Sequence, residues 1–443
     1  MSFIGAGTCV INANQAGNAN YNAAPQVQQS FIVKNAQTIS FTSSPPATPT
    51  VGGATYAVTA TATSGLTVTF SIDASATTVC SVAGSTVSFI GAGTCVINAN
   101  QAGNGSYYAA PQVQQSFTVR RAQTITFTSA APLAVYQGPT YTVTATATSA
   151  LPVTFSIDAT SSSVCTIAGA VVSFIGTGNC VINANQAGDA TWYPAPQAQQ
   201  TVTVGPNLQA DNYNVVGNTQ LVVAGHSAPT TPFTAAATGI LANDTSDVAI
   251  TLTTTTGAAT TGGGSVAIDA AGKLTYTPPV GLSTGTDTYV YTGTSNGVSR
   301  TATITFNISN IVWYVNSSAA GGGDGRSQSP FNNMGASGLG SALSGAGPAT
   351  SAYIYVYFGA GSTAGAYTLK SSQSLRGEAA GLTVGGLTIA ATANRPVLTG
   401  TLSAVSGASG ITVAGINMST GTANAVDFAN ASADFTGGGM ALT

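Results

Sequence analysis

The stretch that decides the fold is TYAVTATATSGLTVTFSID at residues 55–73, which returns as TYTVTATATSALPVTFSID at residues 140–158. Its apolar residues alternate with Thr and Ser, and one face of the first copy carries Tyr56, Val58, Ala60 and Ala62. A side-chain period of two is that of a half-buried β-strand, and Val, Thr, Phe and Tyr are the residues that strands favour. No helical periodicity competes, so the stretch predicts a run of short strands.

The same landmarks surround both copies and define a repeat. SFIGAGTCVINANQAG occurs at residues 2–17 and 88–103, and SFIGTGNCVINANQAG at 173–188. Short alternating strands broken by Gly, Pro, Asn and Ser predict tandem antiparallel β-sandwiches of the immunoglobulin-like class. The layout resembles the bacterial immunoglobulin-like repeats of very large surface and secreted proteins, which implies a stalk of stacked sandwiches. We therefore divide this half into a C-terminal repeat fragment at 1–35 and full repeats at 36–121 and 122–205.

Five cysteines lie in these repeats, and their spacing predicts two disulfides. Cys80 and Cys95 are 15 positions apart, as are Cys165 and Cys180. Closing a loop of this size by a disulfide stabilises a fold by roughly 3 kcal/mol. The alternative is buried free thiols, which behave as small apolar residues. Disulfides imply an oxidising compartment. Cys9 aligns with Cys95 and Cys180, but its partner position is missing, so we expect it to be unpaired.

A different module follows at residues 206–310. Its strings GILANDTSDVAITL and GKLTYTPP resemble the cadherin-like tandem domains of bacterial adhesins, which implies a further sandwich. Because some members of that group bind calcium, Asn243, Asp244 and Asp247 are candidate oxygen ligands. An Asn–Asp turn explains the same residues without a metal. We expect the module's other carboxylates in turns and the chain's one histidine in a surface loop: Asp211, Asp269, Asp287 and His226.

The residue composition changes again at IVWYVNSSAAGGGDGRSQSP, where the segment 311–443 begins. Short apolar runs between Gly, Asn and Ser suggest the rungs of a solenoid. The opening resembles the start of a right-handed parallel β-helix of the pectate-lyase type, here truncated. Enzymes of that family need carboxylate pairs, or carboxylates with a basic side chain, on one face. We expect a structural solenoid and no enzyme; the candidate residues for such chemistry are Asp427, Asp434, Arg376, Glu378 and Arg395.

The composition excludes several kinds of partner. Charged residues make up 5% of the chain, against about 25% in a typical soluble domain. The only adjacent basic pair is Arg120-Arg121. Because clustered basic residues are what neutralise phosphates, we expect no nucleic-acid partner. No apolar run reaches the roughly 18 residues of a membrane-spanning helix, so we expect no transmembrane segment.

Together these features predict a structural or adhesive stalk segment of a large bacterial extracellular or cell-surface protein, serving cell adhesion or matrix and filament building. Its partners would be a host or neighbouring cell surface, an extracellular polysaccharide, or copies of itself, and calcium is the only candidate cofactor. One alternative is a filament subunit that exchanges strands at its incomplete N-terminal fragment. Another is a β-helix protein that binds or cleaves polysaccharide. Four aromatic residues could stack on sugars or simply cover the end of a core: Tyr107, Tyr108, Trp192 and Tyr193.

Overall fold

The computed structural model describes most of the chain, and the predicted all-β character is confirmed. Among the described residues, three short 3-10 turns interrupt the strands, at Ala74–Ala76, Ala159–Ser161 and Glu378–Ala380. In the part of the chain that the structure describes, none of the helices has the length and apolar character needed to cross a membrane. The described residues are 2–227, 231–340, 352–359, 363–390, 393–404 and 406–419, with the backbone of three further short strands.

The N-terminal segment forms one antiparallel hairpin. Its strands are β1 (Gly7–Gln15) and β2 (Ala24–Val33), and Cys9 lies opposite Phe31. Several large apolar side chains of this hairpin face solvent: Val27 is 68% exposed and Ile32 57%, whereas Ile11 and Phe31 are half-buried.

Residues 36–121, which we call repeat A, and residues 122–205, repeat B, share one strand plan. Repeat A contains β3 (Ile39–Phe41), β4 (Tyr56–Ala57), β5 (Ala60–Ala62), β6 (Thr69–Ile72), β7 (Cys80–Ala83), β8 (Thr86–Phe89), β9 (Gly93–Asn100) and β10 (Val113–Val119). Repeat B contains β11 (Ile125–Phe127), β12 (Ala134–Val135), β13 (Tyr141–Thr142), β14 (Ala145–Ala147), β15 (Thr154–Ile157), β16 (Cys165–Ala168), β17 (Val171–Phe174), β18 (Gly178–Asn185) and β19 (Ala198–Gly205).

Each repeat is a sandwich of small, mainly antiparallel sheets around one core, and in repeat B the short strand β12 pairs parallel with β19. In repeat A the sheets run β10-β9-β6 and β4-β8-β7, and in repeat B they run β12-β19-β18-β15 and β13-β17-β16. The period-two pattern explains the core, since alternate residues of facing strands are completely buried. In repeat A these include Val58, Val87, Ile97 and Val119.

A disulfide joins the two sheets of each sandwich. Cys80 of β7 is bonded to Cys95 of β9 with the Cα atoms 5.7 Å apart, and Cys165 of β16 is bonded to Cys180 of β18 at 5.8 Å. All four side chains are within their cores. Cys9 carries a free thiol.

Residues 206–310, which we call module C, form a larger sandwich. Its strands are β20 (Asp211–Gly217), β21 (Gln220–Val223), β22 (Phe233–Ala236), β23 (Thr251–Leu252), β24 (Thr255–Ala259), β25 (Ser265–Ile268), β26 (Leu274–Thr277), β27 (Thr284–Ser295) and β28 (Val298–Val315). One sheet runs β22-β21-β26-β25-β24, and in the other β28 lies between β27 and the parallel strand β20. Tyr276 and Phe306 stack in the core with ring centroids 3.7 Å apart.

Strand β28 continues out of module C into the next unit, module D (residues 311–443). Up to Ser309 it pairs antiparallel with β27, and from Val312 to Val315 it pairs parallel with β29 (Tyr353–Val356). Between these two ladders Asn310 adopts a left-handed backbone conformation (φ 62°), and the register of β28 with β20 shifts at this point.

Beyond β29, module D is organised as three parallel ladders. Its strands are β30 (Tyr367–Leu369), β31 (Ser374–Gly377), β32 (Leu382–Val384), β33 (Leu387–Ala390), β34 (Val397–Leu398), β35 (Leu402–Ala404), β36 (Ile411–Ala414), β37 (Asn417–Met418), β38 (Val426–Asp427), β39 (Ala433–Asp434) and β40 (Ala441–Leu442). The ladders run β28-β29-β31-β36-β39, β30-β35-β38 and β34-β37-β40, with an antiparallel β32-β33 hairpin beside them. They enclose an apolar core that includes Trp313, Phe331, Ile354, Leu375 and Ile411.

Candidate functional site

The predicted sugar-stacking residues lie where one repeat meets the next. Asn35 donates its backbone N–H to Ser106 at 2.8 Å and accepts from Tyr108 N–H at 2.9 Å, forming a parallel bridge opposite Tyr107. The same bridge recurs one repeat later, where Arg121 donates to Thr191 at 2.8 Å and accepts from Tyr193 N–H at 2.9 Å, opposite Trp192. The loop that carries the aromatic pair is thus a repeated contact with the preceding linker.

At the junction of repeats A and B the rings themselves have protein partners. The guanidinium groups of Arg120 and Arg121 lie 5.7 Å from the ring of Tyr193 and 6.0 Å from that of Trp192. Such cation–π contacts contribute about 0.5–1 kcal/mol each at exposed sites. The Tyr193 hydroxyl also donates to the Pro49 carbonyl at 3.2 Å. Tyr108, 54% exposed, is the most open of the four predicted residues.

A buried glutamine fixes each aromatic loop. Gln123 is 3% exposed, and its Nε2 donates to Gln186 Oε1 at 2.5 Å and to the Tyr193 carbonyl at 2.7 Å, while Ser149 donates to its Oε1. Gln37 makes the same three contacts in repeat A. Sequence reasoning missed these glutamines, although the signal was present as a polar residue recurring at the start of each repeat.

The junction of repeat B and module C is made by side chains. Asp247 Oδ1 accepts from the Thr177 N–H at 2.9 Å and from its hydroxyl at 2.8 Å, and Asn296 donates to the Thr177 carbonyl at 2.7 Å. Partial burial opposes the charge of Asp247, but these hydrogen bonds hold its pKa below the ordinary value. Arg300 Nη2 donates to the carbonyls of Ala134 and Thr203, each at 2.9 Å.

Asp247 is therefore separated from the other two candidate calcium ligands, Asn243 and Asp244. Asp247 is held by repeat B, whereas Asp244 accepts from Gln209 N–H at 2.7 Å and from the Tyr291 hydroxyl at 2.9 Å. Asn243 Nδ2 donates to the Ala210 carbonyl at 3.2 Å. No group of three or more His, Cys, Asp or Glu side chains suited to a metal occurs among the residues that the structure describes.

Asp211 lies beside Asp244, and our expectation that it occupies a turn was wrong. It is the first residue of β20 and is 7% exposed. Burial raises its pKa to about 7, and the negative charge of Asp244 adds to the effect, while Tyr291 and Asn243 partly oppose it. This carboxylate lines a cleft of about 280 Å³ together with Asn243.

Asp287 was also wrongly expected in a turn. It lies in β27 with no exposed surface and accepts hydrogen bonds from the Tyr276 hydroxyl at 2.8 Å, from the Gly262 N–H at 2.6 Å and from the Thr260 hydroxyl. Burial alone would raise the pKa of Asp287, but these donors hold it below the ordinary value. Asp287 therefore has a structural role, because its hydrogen bonds join the loop at residues 260–262 to β27.

Two other predicted positions are simpler. Asp269 does occupy a turn, where Oδ1 accepts from the N–H groups of Ala271 and Lys273 at 2.9 Å. His226 lies in the loop after β21, and its N–H donates to the Val223 carbonyl at 3.1 Å.

The candidate polysaccharide-cleaving residues of module D are placed only in part. Glu378 lines a cleft of about 440 Å³ with Asn316, Tyr355 and Tyr357. Arg376 lies in β31, where its Nε donates to Ser374 Oγ at 3.3 Å. The structure does not place Arg395 at this cleft, and the side chains of Asp427 and Asp434 lie outside the described residues.

No family model and no curated protein matches this chain. Among solved structures it is similar to a protocadherin gamma-B4 extracellular domain (14% identity, 69% of this chain and 56% of that chain, TM-score 0.21). It is also similar to Drosophila N-cadherin (13%, 58% and 74%, TM-score 0.17) and to an I-band fragment of titin (10%, 62% and 98%, TM-score 0.24). The alignment spans just over half the length of the protocadherin. The fold assigned here rests on the strand pairing and cores described above.

Proposed function

We propose that this chain is a stalk segment of a large bacterial extracellular or cell-surface protein, with a structural or adhesive role. The observation that carries the proposal is the series of linked junctions. The hairpin meets repeat A, and repeat A meets repeat B, through the same backbone bridge. Repeat B meets module C through Asp247 and Arg300, and module C runs into module D on one strand.

Such junctions restrict bending, which is what a spacer needs. Units linked only by a free peptide behave as a flexible chain. Here each junction adds hydrogen bonds between groups from both sides, so that neighbouring units hold a preferred orientation. The sandwiches supply length, and the linked junctions keep that length extended.

The disulfides and the composition support an extracellular location. Disulfides persist in oxidising compartments and are rare in the cytosol. Both full repeats contain one that is buried between their sheets. The bacterial origin is proposed from the resemblance of the repeats to those of bacterial surface proteins.

We further propose that module D begins a right-handed parallel β-helix. Three ladders of parallel strands around one apolar core are the arrangement that successive rungs of such a solenoid produce. Its long side faces would offer contact surface to a cell surface or an extracellular polysaccharide, the partners proposed for this protein.

Small-angle X-ray scattering of the full chain tests the stalk. The variant Asp247→Ala with Arg300→Ala removes the side-chain contacts between repeat B and module C. The control variant Asp269→Asn with Lys273→Ala also removes one negative and one positive charge, but from a turn of module C. We expect an elongated wild type with a narrow range of end-to-end distances, a broader and shorter distribution for the junction variant, and no change for the control. A wild type that already scatters as freely jointed units would refute the proposal.

A second function, self-assembly through strand exchange, is favoured by the exposed hairpin. In repeat A, Cys95, Ile97 and Ala99 of β9 are completely buried, whereas the corresponding strand β1 contains no buried residue. A strand from a second copy of the chain could cover this face. Light scattering tests this function: association that disappears when residues 1–35 are deleted supports it, and a monomer with or without them rejects it.

A further inference from the structure

One turn at the junction of repeat B and module C contains a chemically reactive dipeptide. Asn296-Gly297 joins β27 to β28, with Ser295 paired to Val298. Both turn residues have positive φ, 48° and 74°, as a two-residue type I′ turn requires. Both are exposed, and a Cβ added to Gly297 would meet nothing within 4 Å. The turn is therefore open to water, and no side chain shields the backbone nitrogen of Gly297.

Asparagine before glycine is prone to deamidation, because glycine has no side chain to hinder the approach of its own nitrogen. The Gly297 nitrogen attacks Asn296 Cγ and forms a C–N bond. The side-chain amino group leaves with the proton of the attacking nitrogen as ammonia, and a cyclic imide remains. Water then adds to one carbonyl carbon of the ring and opens it, which gives aspartate or isoaspartate. One water is consumed and one ammonia released, and a neutral amide becomes a carboxylate.

We propose that Asn296 is a deamidation site whose conversion releases module C from repeat B. In the unmodified chain, Asn296 Nδ2 donates to the Thr177 carbonyl at 2.7 Å. A carboxylate has no hydrogen to donate, so the product directs a negatively charged acceptor at another acceptor. Asp247 already accepts from the N–H and the hydroxyl of Thr177. After conversion, Thr177 therefore lies between two carboxylates, and one of its three junction hydrogen bonds is lost.

The junction also controls the rate of this reaction. While Asn296 Nδ2 is bound to Thr177, the side-chain amide is held against repeat B and cannot rotate towards the Gly297 nitrogen. Cyclisation therefore requires a local opening of the junction, which the hydrogen bonds of Asp247 oppose. The carboxylate that results cannot restore the lost bond. Each opening that ends in deamidation thus loosens the junction irreversibly.

A second Asn-Gly pair, Asn104-Gly105 in repeat A, provides a control within the same chain. Asn104 Oδ1 accepts from two backbone N–H groups of its own loop, at 2.8 and 3.0 Å. A carboxylate can replace an amide in this role, because it also accepts. The matching residue of repeat B is in fact Asp189, which accepts from two backbone N–H groups at 2.7 and 2.8 Å. Conversion of Asn104 to aspartate should therefore leave repeat A unchanged.

The release is tested with the full chain by hydrogen–deuterium exchange. Asn296→Asp reproduces one product, and Asn104→Asp is the matched control. Asp-Gly suits a type I′ turn as well as Asn-Gly does, so the β27–β28 hairpin should remain intact. We expect segment 176–179 to exchange roughly tenfold faster in Asn296→Asp, the effect of losing a hydrogen bond and adding a repulsive charge, and no change in Asn104→Asp.

The reaction is tested by peptide mapping of protein that has been aged in warm, mildly alkaline buffer. Asp247→Ala loosens the junction and should raise the rate of deamidation at Asn296 roughly tenfold, while the rate at Asn104 stays as in the wild type. An Asn296 that remains intact in Asp247→Ala while Asn104 converts overturns the site. Equal rates at Asn296 in the wild type and in Asp247→Ala overturn the control by the junction.

Exchange at segment 176–179 that is the same in Asn296→Asp and the wild type overturns the release. If circular dichroism shows that Asn296→Asp does not fold, exchange in the wild type before and after ageing decides instead. The consequence of deamidation rests on the junction of the proposed stalk, but the two proposals can fail separately. Scattering of fresh wild type tests the stalk, whereas peptide mapping of aged protein tests the chemistry.

Discussion

Reducing the two disulfides should lengthen the unfolded repeats by an amount that follows from the structure. Each disulfide closes 15 residue steps, which extend to roughly 50 Å when the bond is opened. The bonded Cα atoms are already 5.7 Å apart in repeat A, so the net gain is about 45 Å for each repeat. The same reduction should lower the free energy of unfolding of each repeat by roughly 3 kcal/mol.

Single-molecule stretching with and without a reducing agent measures that gain. In oxidising buffer repeats A and B should each unfold with a contour length about 45 Å shorter than in reducing buffer, and at higher force. Cys9→Ser is the control, because Cys9 has a free thiol and its removal leaves both bonded pairs intact. Equal contour lengths in the two buffers would show that the cysteines are not paired, and the argument for an oxidising compartment would then be lost.

Three further outcomes follow from buried polar groups. Tyr276→Phe removes a 2.8 Å hydrogen bond to the Asp287 carboxylate and should destabilise module C by about 1.5–3 kcal/mol, seen as faster hydrogen exchange in β26 and β27. Hydrogen bonds hold the pKa of Asp287 below its unfolded value of 3.8, so the ionised carboxylate stabilises module C fully above pH 3.8. This stabilisation is lost as the pH falls through the lower pKa of the folded state. A hydrogen-exchange rate in module C that does not change in acid would contradict this. Gln123→Ala leaves the Tyr193 carbonyl without its side-chain donor and leaves Gln186 Oε1 with only the Gly188 N–H. It should cost repeat B about 1–3 kcal/mol, and a hydrogen-exchange rate equal to that of the wild type would refute this.

The sequence was most informative where the same physical constraint recurred. The strand period, the turn residues and the cysteine spacing repeat in register, so the all-β class and the tandem sandwiches could be predicted without any contact information. What a local pattern cannot supply is the identity of distant partners. The sequence predicts Asp247 as a loop ligand, whereas its partner Thr177 lies 70 residues away in another repeat.

Two of the misplaced carboxylates carried a usable local signal. In β20, Asp211 lies two and four positions from Tyr213 and Val215, and in β27, Asp287 lies four positions from Tyr291. Since alternate residues of a strand point to the same face, these acids belong to the buried side of their strands. The alternation along a strand therefore predicts that an acidic side chain is buried. It does not predict which groups hydrogen-bond to that side chain, because those groups come from loops.

The junctions differ in how firmly they join their units. The hairpin and repeat A share a backbone bridge at Asn35. Repeats A and B add to the same bridge two cation–π contacts and the bond from Tyr193 to Pro49. Module C and module D share strand β28, and β20 pairs with β28 on both sides of Asn310, so rotation between the two modules would break that pairing. Resistance to bending should therefore increase from the N-terminal hairpin towards module D, which places the stiffest joint beside the unit proposed to meet a surface.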